Sequence, residues 1–317
     1  MKKNIKLDKL DKLDKSLLQV KKWAEDSISL GNDYCEDGYG LRDYIDTGEK
    51  STAALAALGH VIFVGVGESL LLAKEGNPSE AIIFMQINSK RYVNYLILDL
   101  ILARKYQRSA AIDLDEVNNV VFLALASGLP NLAQKFYRFM MKELGTGDII
   151  TNGHTNFMTE SLRYSAMAMT IFNDWLNLPP PDLKKLALPK DPVWMKYANH
   201  WREENVELFA EILNEACDVH IERIGLTQKE YDSGEYEFAS PFEAVYPAEI
   251  LGVLRLRERL GLQNPELTHP LLLTPYAQIT SPAIDHMSIE DPLLDDYLGA
   301  LRKYNPELIE AWDKFQI

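Results

Sequence analysis

An all-α fold is predicted by three observations. Apolar residues recur at spacings of three and four over most of the chain, helix-start signals precede these runs repeatedly, and alternating apolar–polar stretches of strand length hardly appear. At 317 residues the chain exceeds the usual size of one core, so the expectation is a two-lobed, multi-helix protein.

The elements follow in order. Leu7, Leu10, Leu13, Leu17 and Leu18 form a helical stripe near the N-terminus. The Lys-Leu-Asp triplets around it start with the charge of an export signal but lack its apolar stretch, which predicts a cytoplasmic protein. Residues 31–49, rich in Gly and Asp with Tyr34, Tyr39 and Tyr44, read as a long loop.

Ala53–Ala73 is a largely apolar run of 21 residues, long enough to cross a bilayer. It contains His60 and Glu68, and an ionised Glu facing lipid costs about 2.5–3.5 kcal/mol or more. The expectation is therefore a buried central helix and no membrane partner. Ala53, Ala57, Gly59, Gly65 and Gly67 offer small surfaces on which a second helix can pack closely.

Asn77-Pro78-Ser79-Glu80 starts a helix that runs to Leu102, and Asp113-Leu114-Asp115-Glu116 has capping-box spacing before Val117–Ala126. Leu129–Leu144 and Thr155–Leu176 are amphipathic. Pro179, Pro180, Pro181, Pro189 and Pro192 interrupt the helical pattern, dividing the chain into residues 1–177, a connector 178–192 and residues 193–317. Trp194, Tyr197, Trp201, Leu208, Ile212, Ala216 and Val219 then mark one face of a single long helix ending near Gly225. Ser240-Pro241-Phe242-Glu243 caps a further helix whose first turns Pro247 threatens, and Asn305-Pro306-Glu307 caps the last.

Hydrophobic residues at 47% and charged residues at 25% exclude wholesale disorder. The net charge is -14, yet residues 1–24 hold eight Lys against three Asp, a net of +5, leaving -19 for the remainder. Such a field repels nucleic acid and anionic membrane and attracts cations or a basic protein. Cys35 and Cys217 make neither a disulfide framework nor a zinc spacing and read as thiols in a reducing compartment.

No constellation names a reaction. Gly65-Val66-Gly67-Glu68-Ser69-Leu70 opens like a dinucleotide fingerprint but has Leu70 at the third glycine, and Ser69 is followed two residues later by Leu71, so it is no nucleophile elbow. His200 and Glu204, four apart on a helix, are one pair able to share a metal. Asp218, His220 and Glu222 would do so only awkwardly, and an isolated i, i+4 pair is more often a surface contact. No catalytic residue, metal ligand or cofactor is assigned, and the chain is expected not to be an enzyme.

The feature with most content is the acidic tract 203–243, where twelve carboxylates face Arg223 and Lys229, a net of -10 over 41 residues. Glu204, Glu207, Glu211, Glu215, Asp218 and Glu222 step by three or four into a like-charged stripe. Like charges at i, i+4 weaken a helix by a few tenths of a kcal/mol per pair, so folding does not ask for the stripe. The expected partner-binding residues are Glu203, Glu204, Glu207, Glu211, Glu215, Asp218, Glu222, Glu235 and Glu237, and the expected partner is basic.

Phe242-Glu243-Ala244-Val245-Tyr246-Pro247-Ala248-Glu249-Ile250-Leu251, Leu254-Arg255-Leu256-Arg257-Glu258, Gly261-Leu262 and His269-Pro270-Leu271-Leu272 follow the tract. With the Trp-containing acidic helix before them, they resemble helical immunity proteins paired with antibacterial toxins of type VI secretion and related polymorphic toxin systems. The likeness covers residues 190–275. It implies a cytoplasmic antitoxin that binds and blocks a cognate toxin, with a nuclease among the toxins an acidic face would suit. The competing expectations are an all-helical, metal-dependent hydrolase built around His200 and Glu204, and a helical interaction scaffold.

Overall fold

Helices make up 72% of the chain, and among the described residues thirteen named α-helices are present. The computed structural model describes all residues except 1, 37–39, 108–111, 145, 147, 152–162, 228, 231–235, 284–288 and 314–317, and leaves aside the side chains of 2–9, 32–36, 150 and 163. The helices are α1 (Lys2–Glu36), α2 (Leu41–Thr47), α3 (Ser51–Lys74), α4 (Pro78–Lys105), α5 (Leu114–Ala126), α6 (Pro130–Glu143) and α7 (Arg163–Trp175). After the connector come α8 (Pro192–Asn199), α9 (Val206–Glu222), α10 (Pro241–Val245), α11 (Ala248–Arg259), α12 (Pro292–Tyr304) and α13 (Pro306–Asp313). Strand structure among the described residues is confined to the parallel pairing of β1 (Ile112–Asp113) with β2 (Ile149–Ile150) and one bridge between Ile224 and Phe238.

The apolar run around residue 60 becomes α3, which packs between α1 and α4. Of the small residues expected to admit a second helix, Ala57, Gly65 and Gly67 are buried and Gly59 is partly so, while Ala53 is exposed. A Cβ on Gly67 would lie 2.9 Å from the Ala24 carbonyl oxygen of α1, and one on Gly65 would meet the Asn88 amide of α4. By length and composition α3 is apolar enough to cross a membrane, and 56% of its most apolar window is buried against other helices. Burial penalises the Glu68 carboxylate and raises its pKa, with Arg91 opposing.

Side-chain caps start α5, α8, α9, α10 and α12. The Asp113 carboxylate accepts the Glu116 N–H at 2.6 Å and starts α5. Ser240 and Glu243 close a full reciprocal capping box on α10. Pro247 lacks the N–H that would continue the helix, so α10 ends after five residues and α11 begins at Ala248.

Several expectations need correction. Residues 31–49 are not one loop: α1 runs to Glu36 and α2 starts at Leu41, with Tyr44 buried and donating its hydroxyl to Asn305 Oδ1 at 2.6 Å. Leu18 is 79% exposed, so the N-terminal stripe runs instead through Leu13, Val20 and Ala24, with Leu17 partly buried. The expected start of α7 at Thr155 lies outside the described residues.

The Pro-rich segment is packed down. Leu183, Leu186 and Leu188 are buried, and Asn173 Nδ2 donates to the Pro179 carbonyl at 2.6 Å. Buried side chains from Leu13 to Trp312 form one hydrophobic cluster that includes these three leucines. The last helices return to the N-terminal part of the chain. Arg91 grips Asp291 with two bonds of 2.8 Å, and Trp312 Nε1 donates to Asn94 Oδ1 at 3.0 Å.

Candidate partner-binding face

The single long helix expected after the connector is two helices. α8 ends at Asn199, residues 200–205 turn, and the Asn205 side chain accepts the Leu208 N–H at 2.9 Å to start α9. The turn is held from below by Arg257, whose guanidinium donates to the carbonyls of Trp201 (2.6 Å), Glu203 (2.9 Å) and Gln263 (2.7 Å) and to Asn264 Oδ1 (3.1 Å). It also lies 3.7 Å from the centre of the Phe209 ring.

The break re-registers the buried face. Trp194, Tyr197 and Trp201 are buried as expected, but Leu208 is 39% exposed and Phe209 takes the inner position, stacked on Tyr197 at 6.2 Å. It also separates His200 from Glu204. His200 Nδ1 lies 2.9 Å from the Lys196 carbonyl, and Glu204 stands exposed in the turn, so the two are not one helical turn apart.

On α9, at about 100° per residue, Glu207, Glu211, Glu215, Asp218 and Glu222 fall within an arc of roughly 80°. Glu207, Glu211, Glu215 and Glu222 are exposed and Asp218 is partly so, while Phe209, Ile212, Leu213, Ala216, Cys217 and His220 are buried opposite. Three bases touch the arc. Lys196 Nζ lies 2.6 Å from Glu215, His269 Nε2 lies 3.3 Å from Asp218 Oδ1, and Lys12 Nζ donates to the Glu222 carbonyl at 3.0 Å. Lys12 also sits 4.4 Å from the Tyr236 ring centre; burial lowers its pKa while Glu230 and Glu222 pull it back up.

The other described carboxylates of the tract make structural contacts. Glu237 is not part of a binding face: its side chain is 1% exposed and accepts the Trp194 indole N–H at 3.0 Å, with Arg223 3.6 Å away. The indole donor and the guanidinium offset part of the cost of taking this carboxylate out of water, a pairing that a count of charges does not register. Glu203 is half-buried and accepts the Asn205 N–H at 2.9 Å. Glu230 caps the turn at Leu226 and Thr227, and Glu243 belongs to the capping box. Glu235 lies outside the described residues. Glu204, Glu207, Glu211, Glu215 and Glu222 are exposed to solvent and Asp218 is partly so.

Two polar groupings, one buried and one partly buried, escape sequence reasoning. His220, on the inner side of α9, pairs its Nδ1 with Glu249 Oε1 at 2.7 Å and stacks on Phe238 at 3.9 Å. That ends the reading of Asp218, His220 and Glu222 as a shared ligand set. A second grouping gathers Glu116, Asp113, Glu243 and Tyr92, whose hydroxyl donates to Glu116 Oε1 at 2.9 Å. Among the described residues no three His, Cys, Asp or Glu side chains are arranged to hold a metal ion.

Burial, reinforced by the Asp113 carboxylate, pushes the Glu116 pKa from 4.5 up to about 8 against the Tyr92 hydrogen bond. A raised folded-state value means that the folded chain keeps a proton which the unfolded chain releases between those two pH values. Stability from this group therefore falls as pH rises from about 4.5 towards 8. Glu116→Gln keeps an acceptor for Tyr92 and should stabilise the protein by on the order of 1–3 kcal/mol at pH 8 or above, and hardly at all at pH 5. Urea melts at both pH values check this, and an equal effect at the two would rule it out.

Comparison of the chain with protein-family models, curated proteins and solved structures found no match.

Proposed function

We propose that this chain is an immunity protein that binds and neutralises a cognate antibacterial toxin in the cytoplasm, with the exposed acidic arc of α9 as its docking surface. The observation that carries the reading is the placement of Glu207, Glu211, Glu215, Asp218 and Glu222 on one outward arc of a helix whose opposite side is buried. Along the helix itself each i, i+4 pair of like charges is mildly destabilising, an effect that Lys196 beside Glu215 and His269 beside Asp218 offset in part. A basic partner gains a great deal, since opposed fields accelerate encounter and fix orientation. Toxin nucleases carry basic grooves for phosphate, and an acidic helical surface matches the charge of their substrate. The sequence resemblance over residues 190–275 points the same way, and the activity requires no cofactor.

The test is charge reversal. Changing Glu204, Glu207, Glu211 and Glu215 to Lys should leave the helical circular-dichroism spectrum intact. It should abolish binding to a toxin encoded beside this chain and abolish protection of cells that express that toxin. A folded quadruple variant that protects fully would remove the acidic arc from the mechanism. A wild-type chain that protects against no adjacent toxin would remove the antitoxin role itself.

A further inference from the structure

Between α7 and α8 the Pro-rich connector forms an open cavity of about 480 Å³, lined by Pro181, Asp182, Leu183, Lys184, Leu188 and Lys190. That volume is in the range that takes small molecules. Its apolar base follows from the backbone. Residues 182–186 make one turn, in which the Leu186 N–H donates to the Asp182 carbonyl at 3.1 Å. Ala187 then stands at φ 52°, in the left-handed region that residues with a Cβ rarely adopt. Its N–H donates to the Lys184 carbonyl at 3.1 Å, and the Leu188 N–H donates back to the Leu183 carbonyl at 2.9 Å. This is the reversal that commonly ends a helix, and it brings Leu188 into the same lining as Leu183. Both leucines are buried.

The rim is basic. Lys184 and Lys190 are exposed, and in a chain of net charge -14 neither makes an ion pair among the described residues. The two acids of the connector are engaged. Asp182 Oδ1 accepts the Lys185 N–H at 2.9 Å, while Asp191 holds Arg223 at 2.6 Å and caps α8. Asp182 also lines the cavity, which leaves two ammoniums there against one carboxylate. Pro179, Pro180, Pro181, Pro189 and Pro192 restrict the backbone, and Asn173 grips the Pro179 carbonyl, so a ligand meets little ordering cost.

We infer that this cavity binds a small organic anion, its apolar body on Pro181, Leu183 and Leu188 and its phosphate, sulfonate or carboxylate head held by Lys184 and Lys190. A neutral apolar molecule would leave the ammoniums unused, and an inorganic anion would leave the leucines unused. The site is independent of the proposed antitoxin role, because α9 contributes nothing to the lining.

The experiment titrates the full chain with anilinonaphthalene sulfonate, an apolar body with an anionic head, and follows its fluorescence. Saturable binding of a single dye per chain is expected. Phenylnaphthylamine, the same body without the sulfonate, should bind about tenfold more weakly, since it forgoes the charge-assisted contacts. Lys184→Gln with Lys190→Gln should weaken the sulfonate dye by about tenfold and leave the neutral one unchanged. Lys184→Arg with Lys190→Arg should keep the affinity. Lys74→Gln with Lys142→Gln, on α3 and α6, should change nothing. All of these side chains are exposed, so circular dichroism should match the wild type throughout. Undiminished binding in the Lys184/Lys190 glutamine variant would overturn the inference, as would equal affinity for the two dyes. An equal loss in the Lys74/Lys142 variant would overturn it too, assigning the effect to overall charge.

Discussion

Arg257→Ala is expected to destabilise the protein by on the order of 3–5 kcal/mol. The guanidinium is fully buried, and its removal strands the carbonyls of Trp201, Glu203 and Gln263 together with the Asn264 amide oxygen. Each buried acceptor left without a donor costs about 1–3 kcal/mol, and the Phe209 ring loses the cation that covers it. Arg257→Lys should recover less than half of the loss, because an ammonium keeps the charge but not the planar fork that reaches four acceptors in two loops. The effect should be local in character as well as large. Residues 201–205 orient Glu204 and the first turn of α9, so amide exchange should accelerate there before it does in α3 or α5. Urea melts of the two variants, with hydrogen exchange, check both statements. A neutral Arg257→Ala would mean that the turn is held by Asn205 capping alone.

Arg257 also shows where sequence reading ends. In the sequence it is one of three arginines on a charged helix, and nothing in its neighbours says that it alone faces inward. The all-α class, the burial of α3 and the capped starts of α5 and α10 were legible because each rests on local signals: periodicity, small residues and caps within a few positions. The break between α8 and α9 had a local signal too, since Asn205 stands three residues before Leu208 in cap spacing. The continuous run of aromatic and apolar residues from Trp194 to Val219 masked it. Within the acidic tract, Glu207 and Glu237 look alike in sequence. One is solvated on α9, and the other accepts an indole N–H from Trp194, a residue 43 positions away. Distant partners of this kind decide which charges form a face, and spacing does not encode them. The pairing of His220 with Glu249 was hidden for the same reason.

Trp201→Ala and Glu211→Gln should separate the two sides of this region by the widest margin. Trp201 is 2% exposed, in the turn between α8 and α9, and its indole N–H donates to Asp174 Oδ2 at 2.9 Å. Truncation removes the largest side-chain volume available and leaves a cavity that the turn, pinned by Arg257, has little freedom to close. The expected cost is on the order of 3–5 kcal/mol. Little of it should come from the lost hydrogen bond, because Asp174 keeps Arg202 Nε at 2.6 Å and is half-exposed. Glu211 has Glu207 and Glu215 one turn away on either side, on the exposed arc. Replacing it with Gln removes two like-charge neighbours at a few tenths of a kcal/mol each, so stability should stay level or rise slightly. The association rate with a basic partner should fall in the same variant, and the fall should shrink as salt is added, because an exposed charge acts on encounter through a screened field. Thermal melts of the two variants, paired with stopped-flow association at two ionic strengths, read both effects. A neutral Trp201→Ala beside a strongly destabilising Glu211→Gln would mean that the turn is not packed and that Glu211 holds the fold together. The acidic arc would then be a structural element rather than a surface held out to a partner.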